Sequence, residues 1–287
     1  MSKTAREEAD HKHLYVKTFL RQMKYLKRNH NILSMDEVIY YIAKKLNFPP
    51  NPVAITFDDG FKNNYTVAAP ILSELKIPAA FYIPTYFIDT DEMFWVDKID
   101  YCINRTSVKN ISLPYFKHPF HLRTKQDKIK SSALIRAYCK ANTNAITNRI
   151  IDALIDATRV KPETADYEKY SKIKWAQLKE MSNNPLFIIG GHSHTHHILS
   201  KLSLQELDFE ITESINLLER NLTKKIKHYS YPEGGLQDYN EKVIKKLKAN
   251  GIRSCLTTIF GLNSKDSNLF ELKRIPGVFM NFDFPLS

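Results

Sequence analysis

Short apolar runs alternate with helix-patterned stretches along most of this chain, and that alternation leaves few architectures open. Val53 to Phe57, following Pro52, reads as a buried strand, and Ala79 to Ile83 reads as another. The stretch from Tyr65 to Leu75 between them has helical character. A strand, a helix and a strand in that order imply a parallel pair joined by a crossover. The alternation returns in the second half. Leu186 to Ile189 is strand-like and runs into a Gly190-Gly191 turn, Ile226 to Tyr231 and Ile252 to Thr257 are strand-like, and Glu241 to Asn250 is a helix stopped by Gly251. Ser203 and Glu206 form a capping box, and the helix they open carries Leu204, Leu207, Ile211, Ile215, Leu218 and Leu222 on one stripe. Nearer the start, Phe19, Met23 and Leu26 share a face, and Ser34 with Glu37 makes a second capping box before Val38, Ile39 and Ile42. The pattern is that of an α/β architecture, and periodicity alone allows either a barrel or an open sheet.

From about Asp97 to Ser171 the pattern is helical with little strand signal. We read this stretch as a helical insertion (roughly 97–171) on a single domain spanning 1–287, since the length of 287 residues admits one large domain. Hydrophobic residues at 43% and charged residues at 25% allow a sizeable core without staples. Cys102, Cys139 and Cys255 are odd in number and far apart, so they read as small buried side chains in a reducing compartment. Met1 to His13 lacks an apolar core of the signal-peptide kind, and no window approaches 18 apolar residues. A cytoplasmic or membrane-peripheral location with no transmembrane segment is the expectation. The net charge of +11 invites a nucleic-acid reading, but Lys and Arg are scattered and no nucleic-acid motif is present. An anionic partner, such as a phosphorylated glycan carrier or a membrane surface, suits the charge better.

Two clusters carry chemistry. Thr56-Phe57-Asp58-Asp59-Gly60 stands where the strand from Val53 ends, and the C-terminal ends of parallel strands are where α/β proteins place their sites. Adjacent carboxylates behind a buried strand repel each other unless one binds a cation and the other takes a proton. A bland alternative makes them turn and N-cap residues of the next helix. The second cluster is His192-Ser193-His194-Thr195-His196-His197, in which four of the ten histidines fall within six positions at a strand end. Imidazole is the commonest zinc ligand. A turn or helical start brings His192 and His196 together, whereas an extended segment puts His192, His194 and His196 on one face.

Together the clusters resemble the polysaccharide deacetylase family, carbohydrate esterase family four, whose T-F-D-D-G and H-[ST]-x-x-H motifs each lie at a strand end. The similarity runs from about Val16 to Gly277 and includes Trp95, Lys174-Trp175 and Arg274-Ile275-Pro276. The resemblance implies a distorted (β/α) barrel and hydrolysis of N-acetyl groups on an N-acetylated glycan or a lipid-linked amino sugar. It implies that Asp59, His192 and His196 hold a divalent metal, zinc or else cobalt or nickel, and that Asp58 is the general base. The family's R-x-x-P-Y-like segment is represented by Tyr229-Ser230-Tyr231-Pro232-Glu233-Gly234-Gly235, which resembles a tyrosine-proline form without the Arg, with Ser230 read at the Arg position and Glu233 at the Tyr position. The Glu233 backbone N–H can still serve an oxyanion, Tyr231 is a substrate-facing candidate, and Arg274 is the candidate for orienting Asp58. The family's acid histidine has no counterpart after His228, which leaves His13, His194 or His197 as stand-ins. That gap keeps a second reading open, a glycan- or metal-binding relative with impaired turnover. A third keeps the metal and changes the bond, to another amide or to a phosphate ester. The two tryptophans read as packing.

Overall fold

The protein is described here by a computed structural model covering residues 14–163 and 170–277. Among the described residues two compact units divide the chain, one built from 14–90 and 172–277, the other from 91–163 and 170–171.

The first unit begins with α1 (Val16–Asn29), whose Phe19, Met23 and Leu26 are buried. A short β1 (Asn31–Ile32) leads into α2 (Met35–Ala43), and the Ser34–Glu37 capping box forms as the sequence implies. The run from Val53 to Phe57 divides in two. β2 (Pro52–Val53) pairs with β1, whereas β3 (Ile55–Phe57) enters the main sheet. A π-helical turn (Asn64–Ala68) and α3 (Ala69–Glu74) then cross over to β4 (Ala79–Ile83), which is buried along its whole length.

In the second unit, α4 (Trp95–Arg105), a two-residue hairpin of β5 (Asn110–Ile111) and β6 (Phe120–His121), α5 (Lys125–Ala141) and α6 (Asn144–Thr158) enclose their own core. Ile99, Ile103, Ile135, Ile150 and Leu154 form it, with Cys102 and Cys139 among them and Trp95 at its edge.

The first unit resumes with α7 (Trp175–Asn183), β7 (Phe187–Gly191), α8 (Leu204–Leu222), β8 (His228–Ser230), α9 (Glu241–Ala249), β9 (Ser254–Phe260) and β10 (Leu272–Arg274). Six strands form one all-parallel sheet in the order β10-β9-β8-β7-β4-β3. Parallel strands need both faces covered, and the side-chain alternation supplies this. Phe81, Ile83, Phe187, Ile189, Tyr229 and Cys255 pack toward α1, α7, α8 and α9, and Trp175 joins them. Ala80, Tyr82, Ile188, Leu256 and Leu272 turn to the other face, where Met35 and Ile42 of α2 meet them. The result is the curled sheet of a distorted (β/α) barrel, with every strand C-terminus along one rim.

The three cysteines are buried thiols. Burial pushes Cys102 and Cys139 up to about 11 and Cys255 well above its ordinary range. Among the described residues no helix is long and apolar enough to cross a membrane. Leu204 departs from its expected place on the buried stripe. As the first residue of α8 it is exposed, while Leu207 to Leu222 of the stripe are buried.

Candidate metal and catalytic site

The two clusters meet because β3 and β7 both flank β4, with Phe57 opposite Phe81 and Ile189 opposite Phe81 on its other side. The Phe57 and Phe81 rings stack at 4.9 Å and anchor the end of β3 in the helix-facing core. Alternation then turns Asp58 to the inner face, with Asp59 in the loop beyond it. In β7 the same alternation turns Ile188, Gly190 and His192 inward.

Gly190 and Gly191 belong to β7 rather than to a turn. A Cβ on Gly190 would stand 2.6 Å from the Tyr82 ring and 2.7 Å from the His228 carbonyl oxygen, and one on Gly191 2.4 Å from the Tyr229 ring. The glycines are there so that two buried tyrosines can lie against the strand.

Beyond β7 the chain turns sharply. Ser193 and His196 have φ of 64° and 61°, and Asp59, across from them, has 74°. Non-glycine residues adopt this left-handed region only when their surroundings hold them in it. The Tyr229 hydroxyl accepts from the Ser193 N–H at 2.7 Å, and the Ser193 hydroxyl accepts from the His196 N–H at 2.8 Å. The turn brings His192 and His196 to one side, their rings 4.8 Å apart, and leaves His194 elsewhere. Asp59 Oδ1 lies 3.4 Å from His192 Nε2 and 3.2 Å from His196 Nε2. One ligand atom from each of Asp59, His192 and His196 falls within 4.8 Å of the others. His192 Nδ1 is 2.7 Å from the Ser230 carbonyl oxygen. A carbonyl can only accept, so the proton is on Nδ1 and Nε2 offers its lone pair to the cluster. One carboxylate and two imidazoles, converging and oriented from behind, suit a zinc-like divalent ion.

Asp58 is held separately. Arg274 Nη1 donates to its Oδ1 at 2.9 Å and Nη2 to its Oδ2 at 2.7 Å, while the Ser230 hydroxyl donates to Oδ2 at 3.1 Å. Arg274 is itself fixed by Nε, which donates to the Thr257 carbonyl at 2.6 Å. Burial works to raise the Asp58 carboxyl, but the Arg274 and His192 charges outweigh it and hold the group below the ordinary aspartate value. Asp59 follows the same balance, with His192 and His196 holding it well below that value against its burial. Burial pushes His192 down, yet the Asp58 and Asp59 carboxylates leave it raised.

The profile of the family described as polysaccharide deacetylase matches residues 45–112 and 132–255. The chain belongs to the polysaccharide deacetylase family. A poly-β-1,6-N-acetyl-D-glucosamine N-deacetylase of Staphylococcus aureus is 38% identical over 82 residues, 28% of each chain, so the match spans little more than a quarter of that relative's length. Solved structures with a similar fold include the Streptococcus pyogenes deacetylase PplD in complex with acetate (TM-score 0.58, 17% identity, covering 91% of this chain and 80% of that one). IcaB from Ammonifex degensii gives a TM-score of 0.59 at 16% identity, covering 91% and 83%.

Among the remaining candidates of this family member, Tyr231 lies where the sequence did not place it. The Tyr231 ring is fully buried, stacked on Tyr239 at 4.3 Å, and its hydroxyl donates to the Phe270 carbonyl at 3.0 Å. Its side chain is therefore core and not a sugar-facing surface, because strand alternation turns it toward the helices. Glu233 has φ of 62°, and its carbonyl accepts from the Thr258 hydroxyl at 2.6 Å. His194 Nδ1 lies 2.8 Å from the Thr85 hydroxyl, and His197 Nδ1 lies 2.7 Å from the Thr195 hydroxyl. His11 and His13 lie outside the described residues. The sequence reading missed Glu210 of α8, which is 4% exposed. Its Oε2 accepts from the His194 and Thr195 N–H groups at 2.8 Å each, and its Oε1 accepts from the Thr195 hydroxyl. Burial would raise its carboxyl, and His197 with Thr195 holds it low instead. A carboxylate beside Ile211 on the stripe of α8 was the available signal.

Proposed function

We propose that this protein is a metal-dependent hydrolase that removes N-acetyl groups from an amino-sugar glycan or glycan precursor. The observation that carries the reading is the placement of Asp58. Its carboxylate is clamped by Arg274 and Ser230 immediately beside the convergent Asp59, His192 and His196. A metal-binding remnant has no need of such a clamp.

Asp59, His192 and His196 would hold the ion, with zinc the first choice and cobalt or nickel as substitutes. When bound, that ion supplies Lewis acidity toward the acetyl carbonyl and lowers the pKa of a coordinated water. Asp58 takes the proton from the attacking water. Arg274 and Ser230 keep both carboxylate oxygens directed, and the backbone N–H of Glu233 is the candidate donor to the developing oxyanion. The leaving amine needs a proton, and Asp58, having just received one, is the group placed to return it. His194 and His197 each meet a hydroxyl through Nδ1, those of Thr85 and Thr195.

The poly-β-1,6-N-acetyl-D-glucosamine enzyme among its relatives makes that polymer the first substrate to try. A lipid-linked amino sugar is the next. The test is acetate release from N-acetylglucosamine oligomers by zinc- or cobalt-loaded protein, with Asp58→Asn alongside. Metal-dependent release that the variant loses is the expected result. Metal bound without release from any oligomer would instead favour a binding relative with impaired turnover.

A further inference from the structure

The proposed chemistry leaves one buried polar group beside the base without a task. Tyr82 lies wholly inside the sheet's inner face, and its hydroxyl meets no hydrogen-bond partner among the described residues. The side chains clustered with it there, Met35, Ile42, Ala80, Ile188, Leu256 and Leu272, are apolar. A buried hydroxyl left unpaired in such surroundings is costly, and native structures satisfy nearly all of them, often with an ordered water. We infer that the Tyr82 hydroxyl and the Arg274 guanidinium hold an internal water molecule between them, which makes Tyr82 a positioning residue for Asp58 through Arg274. The water site stands on geometry, and its bearing on catalysis rests on the reading above.

The strand register brings Tyr82 to the clamp. β3 and β4 pair Phe57 with Phe81, so the next step of the same register sets Asp58 beside Tyr82, both turned inward. On its other side Tyr82 pairs with Gly190. Its Cδ1 and Cε1 atoms lie 2.6 and 2.7 Å from where a Gly190 Cβ would stand. Glycine therefore admits the ring over the strand, and that close seat holds the phenol in place.

The polar groups around it are already engaged, with one exception. Beyond Gly190 the next inward side chain is His228, whose Nδ1 meets the Ser254 hydroxyl and whose Nε2 meets Asp36 Oδ1, each at 3.1 Å. The Ser230 hydroxyl donates to Asp58 and accepts from Arg274. Arg274 has five N–H donors. Nε goes to the Thr257 carbonyl, Nη2 to Asp58 and Ser230, and one N–H of Nη1 to Asp58. The second Nη1 N–H is the donor that remains. Burial, and after it the Asp58 charge, push the Tyr82 phenol well above its ordinary value against the opposing Arg274 charge. It keeps its proton, so it too is a donor. A water that accepts from both donors satisfies each of them. The guanidinium then gains a second tie beside its Nε bond, and its fork stays aimed at Asp58.

Tyr82→Phe keeps the ring over Gly190 and removes only the oxygen, so the fold is retained. A crystal structure of the zinc-loaded full chain should show an ordered water within hydrogen-bond distance of Tyr82 Oη and Arg274 Nη1. Its absence, or a protein group bonded to Oη in its place, overturns the inference. The denaturant midpoint of Tyr82→Phe should fall, because a satisfied hydroxyl is lost, whereas deleting an unpaired one would leave it unchanged or raise it and would sink the water site. Acetate release from N-acetylglucosamine oligomers reads the positioning role. In Tyr82→Phe, kcat should drop about 3- to 10-fold with KM within about twofold and zinc affinity unchanged. In an Arg274→Met background the same substitution should change kcat less than about twofold. An equal drop in both backgrounds, or a loss carried by KM or by zinc affinity, overturns the role through Arg274. If wild type releases no acetate, the deacetylase reading is what falls, and the crystal structure and the midpoint alone decide the water site.

Discussion

Replacing Arg274 by Met tests whether Asp58 is a positioned base. The guanidinium makes two charge-assisted hydrogen bonds to Asp58, at 2.9 and 2.7 Å, and a third contact to the Ser230 hydroxyl at 3.2 Å. Breaking a buried pair of this kind costs about 3–5 kcal/mol when the surviving charge has nowhere to go. Here the two side chains are 17% and 21% exposed, so water can reach Asp58 and the lower end of that range, about 3 kcal/mol or less, is expected. The effect on rate comes from geometry and protonation together. With only Ser230 still donating to it, the carboxylate can rotate away from the attacking water, and a misplaced base costs on the order of 100-fold in kcat/KM. Burial no longer faces the Arg274 charge, so the Asp58 carboxyl rises and the acid limb of the kcat/KM profile moves to higher pH. Arg274→Lys separates the two effects. It keeps a positive charge, so the limb should stay near its wild-type place, but a single ammonium cannot supply the fork and the rate should remain low. Acetate release against pH for the three proteins, with zinc titration as a control, is the assay. A uniform rate loss in Arg274→Met with an unmoved acid limb would refute the reasoning, as would a loss explained by weaker zinc binding.

Three further outcomes follow from the same geometry. Glu210→Ala should weaken zinc binding by about 10- to 100-fold, measured calorimetrically, because the loop bearing His196 loses its carboxylate anchor. Glu210→Gln should retain most of the affinity, since an amide oxygen still accepts from both N–H groups and the Thr195 hydroxyl can reverse its role. Gly191→Ala should destabilise the first unit by about 1–3 kcal/mol in denaturant unfolding, because the new Cβ meets a Tyr229 ring whose hydroxyl is tied to Ser193. Asp36 is held below its ordinary value chiefly by its hydrogen bond with His228. Its contribution to stability is present above the unfolded-state aspartate pKa of about 4 and is lost as pH falls through the lower folded-state value. Asp36→Asn should flatten the acid end of the stability curve by less than about 1 kcal/mol, given the exposure of this carboxylate.

The parts of this fold that showed in the sequence are those in which neighbouring residues agree. The two capping boxes, Ser34 with Glu37 and Ser203 with Glu206, form as written, and the buried strand from Ala79 to Ile83 lies within its predicted bounds. Failures came where a long-range neighbour overrode the local pattern. Val53 to Phe57 looks like one strand, yet β2 is drawn off by β1 and only β3 joins the sheet. Gly190-Gly191 looks like a turn, and only the rings of Tyr82 and Tyr229 reveal that it is strand. β10 is too short to carry a period, so the strand that delivers Arg274 was invisible although Arg274 itself was noticed.

The site shows the same division more sharply. Asp58, Asp59, His192 and His196 were legible because their chemistry is unusual for their positions. The elements that make them a site were not. His192 depends on a carbonyl at Ser230, the loop after it on Tyr229 and Glu210, and Asp58 on a guanidinium 216 positions away. Three of the residues involved, Asp59, Ser193 and His196, stand in left-handed conformations that no local preference supports. Each such conformation costs on the order of 1–3 kcal/mol, so isolated segments would relax out of it. The ligand geometry is therefore a property of the folded unit rather than of either motif. Variants outside the ligand set, at Glu210 or Gly191, should for that reason disturb metal binding before they unfold the chain.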